Sequence, residues 1–162
     1  MSKPPSFAQI SDLGIGDGLE DWRWLVGKKA QVRLLTAMGD LFIVKPAGWF
    51  GKEDVCLLDT CSGQQRSVSS DWDSFKRRMA APDAEVSDWL KFGLLCDLYA
   101  TGSMLSEGEC FAPKIPPILG GKIEPSNFAP TKWRVHVTIS GQIYRQVKDL
   151  PPGTRITRIT VT

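Results

Sequence analysis

Between residues 29 and 69 the apolar positions come in short runs separated by turn residues. Val32 and Leu34 share one face of a segment at 29–36, which reads as a strand. Met38-Gly39-Asp40 is a turn signal. Leu41-Phe42-Ile43-Val44 is a continuous apolar run, as expected of a central strand with both faces covered. Val55-Cys56-Leu57-Leu58-Asp59 reads as the next strand, Ser62-Gly63 as a turn, and 65–69 as a short returning strand. Consecutive short strands joined by tight turns make an antiparallel meander.

The period then changes from two to 3.6. Trp72, Phe75 and Met79 fall on one helical face, with Ser70 as N-cap and Asp71 and Asp73 suited to the positive end of the helix dipole. Lys76, Arg77 and Arg78 follow and read as a solvated helix end. Pro82 suits the first position of a second helix, whose stripe is Val86, Trp89, Leu90, Leu94 and Leu98 and whose stop is Gly102. Residues 106–130 are rich in Pro and Gly yet carry Phe111, Ile115, Ile118, Leu119, Ile123 and Phe128. They read as an ordered loop packed on the core, with one short strand near 121–124. Over 131–149, Val135, Val137 and Ile139 alternate like a strand, but Val135, Ile139, Ile143 and Val147 recur at i+4; the longer pattern predicts a helix. Residues 154–161 read as a final strand. The fold class is α+β: a mixed, largely antiparallel sheet, built as a meander and flanked by helices. Residues 1–28 are expected to be a lead-in segment and 29–162 a single α+β domain.

Composition adds bounds. The 162 residues, 42% hydrophobic and 23% charged with a formal net charge of +2, suit one globular domain able to bury a core. A nearly balanced charge calls for neither nucleic acid nor an anionic membrane as partner. No apolar run reaches the length of a membrane span and no apolar leader is evident, so a cytoplasmic protein with reduced thiols is expected. Cys56 and Cys61 have a C-x4-C spacing, but a structural zinc needs four ligands and no second close pair exists; the thiols read as small buried hydrophobes, with no metal or cofactor. The single histidine, His136, lies in an apolar periodic segment and reads as structural or surface rather than as a catalytic base. Gly14-Ile15-Gly16-Asp17-Gly18 matches neither a dinucleotide loop nor a Walker loop.

Several stretches carry a resemblance together. They are Gly39-Asp40-Leu41-Phe42, then Leu58-Asp59-Thr60 with Gly63, then Gly108-Glu109-Cys110 followed by the block from Lys114 through Pro116-Pro117 to Gly120-Gly121. The last is Gly141-Gln142-Ile143-Tyr144-Arg145-Gln146-Val147. In order and spacing they resemble the C-terminal domain family of type VI secretion immunity proteins, which is similar to the wider SMI1/KNR4-like immunity superfamily. The resemblance runs from about Val32 to Ile156. It implies a mixed sheet flanked by helices, in a non-enzymatic protein that binds and neutralises a cognate antibacterial toxin, a DNase in characterised relatives, by occlusion. Many relatives carry a further domain ahead of this one, where only a short stretch stands here, which leaves the toxin type open. A His often stands in the place of Tyr144, and its replacement argues against a shared metal or acid–base site there.

A stoichiometric inhibitor needs aromatic or Arg anchors and local charge complementarity. The candidate partner-binding residues are therefore Trp49 and Phe50 in the first long loop, Glu107 and Glu109 in the Pro/Gly-rich loop, and Gln142, Arg145 and Gln146 in the last block. Gln142, Arg145 and Gln146 serve equally as ties to the backbone of the 106–130 loop, and that structural role is the preferred one. The competing readings are a general interaction or regulatory module of the same fold without a toxin, and a small ligand-binding protein or enzyme using the cleft beneath the 106–130 loop. The latter would show a pocket with converging polar groups and perturbed pKa values.

Overall fold

The computed structural model describes residues 7–9, 18–48 and 51–162. Five strands form one antiparallel sheet in sequence order: β1 (Phe7–Gln9), β2 (Gln31–Thr36), β3 (Leu41–Pro46), β4 (Glu53–Asp59) and β5 (Gln64–Ser69). The meander expected at 29–69 is thus present, with β1 added to its free edge. A second sheet pairs β6 (Glu109–Pro113) with β7 (Phe128–Lys132). The helices are α1 (Arg23–Val26), α2 (Trp72–Ala80), α3 (Ala84–Trp89), α4 (Phe92–Ala100) and α5 (Trp133–Val147).

The continuous apolar run in β3 has a direct cause, because both faces of the sheet are covered. Leu41 and Ile43 point to a cluster with Trp22, Leu58, Val137 and Tyr144, on the α5 side. Phe42 and Val44 point the other way, to Phe75, Val86 and Trp89 of α2 and α3. There the rings of Phe42 and Phe75 lie 4.7 Å apart, tilted by 54°. A third cluster closes one end of the sheet, where Met38 and Cys61 meet Leu95 and Leu98 of α4 and Phe111 and Phe128 of the small sheet.

Three expectations about the helices are corrected. Asp71, not Ser70, caps α2, accepting from the Ser74 N–H at 2.7 Å. Pro82 precedes the first turn of α3, and Asp83 is the cap, accepting from the Val86 N–H at 2.9 Å. The long second helix is broken into α3 and α4 by Lys91, whose φ of 47° and ψ of 43° are left-handed. Val86 and Trp89 therefore face one core cluster and Leu98 another.

The Pro/Gly-rich segment is pinned at both ends by β6 and β7, whereas 121–124, where a strand was expected, is irregular and leads into a 3-10 turn at Pro125–Asn127. The helix over 131–149 is there as α5. The expected final strand is not: residues 154–162 have no regular partner strand. Instead Ile156 and Ile159 pack on the α5-side core. Truncating Phe42 to Ala should lower unfolding stability by about 3–5 kcal/mol in a urea titration, since its ring is fully buried between two helices.

Candidate functional site

Three loops and two helices meet at the end of the sheet where the third cluster lies. The β2–β3 turn delivers Asp40, whose carboxylate is completely buried. A buried charge is tolerated only when it is paired and hydrogen-bonded. Asp40 Oδ1 accepts from the Thr60 N–H at 2.9 Å and from the Thr60 hydroxyl at 3.0 Å, and Oδ2 takes the Lys91 ammonium. Lys91 also bridges to Asp59 Oδ1 at 3.1 Å, and the same Asp59 oxygen accepts from the N–H groups of Cys61 and Ser62. The left-handed backbone at Lys91 thus places one ammonium between two carboxylates.

The network continues into α5. His136 Nε2 lies 2.8 Å from the Thr60 hydroxyl. That hydroxyl has one proton, and the Asp40 carboxylate is the stronger acceptor, so bookkeeping assigns the proton to Asp40 and an Nε2–H donor to His136. Two turns further along α5, the Tyr144 hydroxyl donates to the Cys61 carbonyl. Two glycines permit these approaches. A Cβ at Gly39 (φ 78°) would lie 2.5 Å from His136 Cδ2, and one at Gly63 (φ 66°) 2.2 Å from the Tyr144 ring. On its other side α5 is held by Trp22, whose indole N–H donates to the Val137 carbonyl at 2.8 Å.

The electrostatics follow from burial and pairing. Burial pushes the Asp40 carboxyl up, against the pull of Lys91. At Asp59 burial acts the same way but is outweighed by Lys91 and the N–H groups of Ser62 and Cys61, so its carboxyl lies below the ordinary range. Burial alone would lower Lys91, but Asp40 and Asp59 raise it above the usual lysine value. His136 is pushed down to about 4, first by burial and then by Lys91, and is neutral near pH 7. Burial raises the thiols of Cys56 and Cys61 to about 12, which leaves them unreactive thiols. Among the described residues no group of three or more His, Cys, Asp or Glu is placed to hold a metal.

The described candidate partner residues share no hydrogen bond with this network. Trp49 and Phe50 fall outside the described residues. Glu107 is exposed. Glu109 opens β6, faces Lys132 across the small sheet at 3.3 Å and accepts from the Ser106 N–H, which with Lys132 holds its carboxyl below the ordinary value. Gln142 and Gln146 tie down the C-terminal tail rather than the 106–130 loop. Gln142 exchanges two bonds with the Thr162 backbone (2.8 and 3.0 Å), and Gln146 exchanges two with Thr160 (2.7 and 3.2 Å). Four helical residues rise about 6 Å and two extended residues about 6.6 Å, so i, i+4 amides match i, i+2 backbone groups. Arg145 is exposed on the same helix.

Six of the residues that carried the resemblance thus converge. Gly39, Asp40, Asp59, Thr60, Gly63 and Tyr144, far apart in sequence, build one buried junction. Residues 69–144 match the family model described as T6SS immunity protein Tdi1, C-terminal. The match covers just under half of the chain and supports an immunity role. The Tdi1 model spans α2 to α5, so it includes Lys91, His136 and Tyr144 but not the strands that supply Asp40 and Asp59. The fold is similar to that in the crystal structure of Atu4351 from Agrobacterium tumefaciens, with a TM-score of 0.57 and 15% identity, covering 85% of this chain and 67% of that one. At that identity the likeness concerns the fold alone. No curated protein matches the chain. No helix among the described residues is long and apolar enough to cross a membrane.

Lys91 is the residue that pattern reading missed. Its only signal is a charge set between Leu90 and Phe92 in an otherwise apolar stripe. Lys91→Met should cost about 3–5 kcal/mol of stability by stranding the buried Asp40 charge, and Asp40→Asn combined with Lys91→Met should recover much of that loss in the same denaturation assay.

The His136 shift has a definite sign. Its folded pKa is depressed, so its contribution is fully present above the ordinary value of 6.5 and is lost as pH falls towards 4. Between those limits the unfolded chain binds the extra proton. Wild type should lose stability relative to His136→Gln by about 1.4 kcal/mol per pH unit. Asp40 works in the opposite sense in both proteins and cancels in the difference. Parallel slopes for the two proteins would refute the assignment.

Proposed function

We propose that this protein is a cytoplasmic bacterial immunity protein that binds a toxin delivered by a type VI secretion system and neutralises it by occlusion, without catalysis. The observation that carries this reading is the match of residues 69–144 to the Tdi1 C-terminal model. The resemblance further suggests a place in the SMI1/KNR4-like superfamily and a DNase as the toxin. The structure adds a reason to separate scaffold from interface. Six of the motif residues are spent on the buried junction, so toxin contacts belong on exposed side chains, those of the Lys114–Gly121 block among them.

The best such surface is the Pro/Gly-rich segment, where Ile115, Ile118 and Ile123 are 54%, 43% and 55% exposed. The segment is stiffened from within: Asn127 donates to the carbonyls of Ile115 and Lys122 and accepts from the Ile115 N–H. A rigid loop presenting aliphatic anchors binds with little loss of freedom. Glu107 and Arg145 are exposed candidates for polar contacts beyond it. Trp49 and Phe50 remain candidate anchors.

The test is co-production with the toxin encoded beside this gene. Growth should be restored and the two proteins should co-purify. Ile118→Asp with Ile123→Asp should abolish both effects while leaving the melting temperature unchanged. A neighbour that is neither bound nor neutralised by the wild-type protein would refute the reading.

A further inference from the structure

A groove of about 340 Å3 runs between α5, the segment around Pro113–Pro117 and the C-terminal tail. Its walls are aliphatic: Val135, Ile139 and Ile143 from the helix, Leu119 from the loop, and Ile159 and Val161 from the tail. The tail wall is held in place by Gln142 and Gln146. For scale, a dry apolar cavity of about 150 Å3 admits benzene.

Five neutral polar side chains also line the groove: Thr60, Thr131, which donates to the Ala129 carbonyl at 3.3 Å, His136, Ser140 and Tyr144. Each directs its proton into the protein. Thr60 donates to Asp40, and Ser140 donates to the His136 carbonyl at 2.7 Å. Tyr144 donates to the Cys61 carbonyl, and His136 donates from Nε2 to Thr60. What remains for an occupant is a set of lone pairs. His136 Nδ1 is the clearest of them: the ring is 6% exposed, and Nδ1 has no hydrogen-bond partner among the described residues. The depressed pKa of His136 keeps that nitrogen a neutral acceptor. Among the described residues no carboxylate lines the groove, and the charged group that does, Lys114, donates to the Ser126 carbonyl.

We propose that this groove is a binding site for a small neutral amphiphile, with an apolar body against the aliphatic walls and one O–H or N–H donor on the acceptor-lined side, paired with His136 Nδ1. The site is distinct from the exposed isoleucines assigned to toxin contact and stands whether or not that assignment holds. A pocket that is mostly apolar, with a few converging polar groups, is the usual form of a small-molecule site.

Indole and benzofuran are suitable probes, because they share a shape and differ in the donor. Titrating each into isotope-labelled full-length protein should give saturable shifts of α5 and tail signals with indole, together with a change in the His136 Nδ1 resonance. Benzofuran should bind about tenfold more weakly, since it leaves the acceptor unpaired. Ile139→Trp, which fills the groove from a partly exposed helical position, should abolish indole binding without changing the melting temperature. Equal binding of the two probes, an unmoved His136 resonance, undiminished indole binding by Ile139→Trp, or no saturable shift at millimolar indole would each overturn the proposal.

Discussion

The buried carboxylate of Asp40 is the constraint on which this end of the molecule turns. A charge with no access to water must be neutralised and must have its lone pairs occupied, or it destabilises the fold by several kcal/mol. Thr60 and Lys91 meet that demand, and each drags further structure with it. Thr60 fixes the β4–β5 turn and presents its oxygen to His136, which sets the rotation of α5 about its axis. Lys91 reaches Asp40 from a left-handed backbone, and that backbone splits α3 from α4. The third core cluster, the break in the helix pair and the seating of α5 thus share one electrostatic cause.

Much of this was legible from pattern alone. The meander was readable because β3 and β4 are short apolar runs between strong turn signals, and α5 because an i+4 stripe outlasts the local alternation of Val135, Val137 and Ile139. The failures have physical reasons. The tail at 154–161 has strand composition but no free ladder, and its backbone bonds to the side-chain amides of Gln142 and Gln146. The single helix across Lys91 was broken by a tertiary ion pair that no local propensity encodes. Residues 121–124 hold no proline, yet they form no strand because their backbone bonds within the loop: the Gly121 N–H donates to the Pro116 carbonyl and the Lys122 carbonyl accepts from the Asn127 amide.

The candidate site was legible in its parts and not in its assembly. Asp40, Asp59 and Thr60 look like ordinary turn residues, and His136 like an isolated histidine on an apolar helix. Only the fold shows that they touch. The same assembly separates two roles. Asp40, Asp59, Thr60 and Tyr144 hold the scaffold together from inside, while the exposed isoleucines of the rigid loop are the surface proposed for a partner, and the aliphatic groove between loop, helix and tail is the site proposed for a smaller occupant. Near-neutral overall charge is consistent with this division, because complementarity to a toxin then has to be local rather than global.

Occlusion makes a quantitative demand that catalysis does not. The most direct measurement is a titration of the purified protein into a fixed amount of the active toxin encoded by the neighbouring gene, with residual toxin activity as the readout. The account predicts a linear loss of activity that reaches zero at one equivalent and does not deepen with time. Complete inactivation by a small fraction of an equivalent, progressing with incubation, would contradict it.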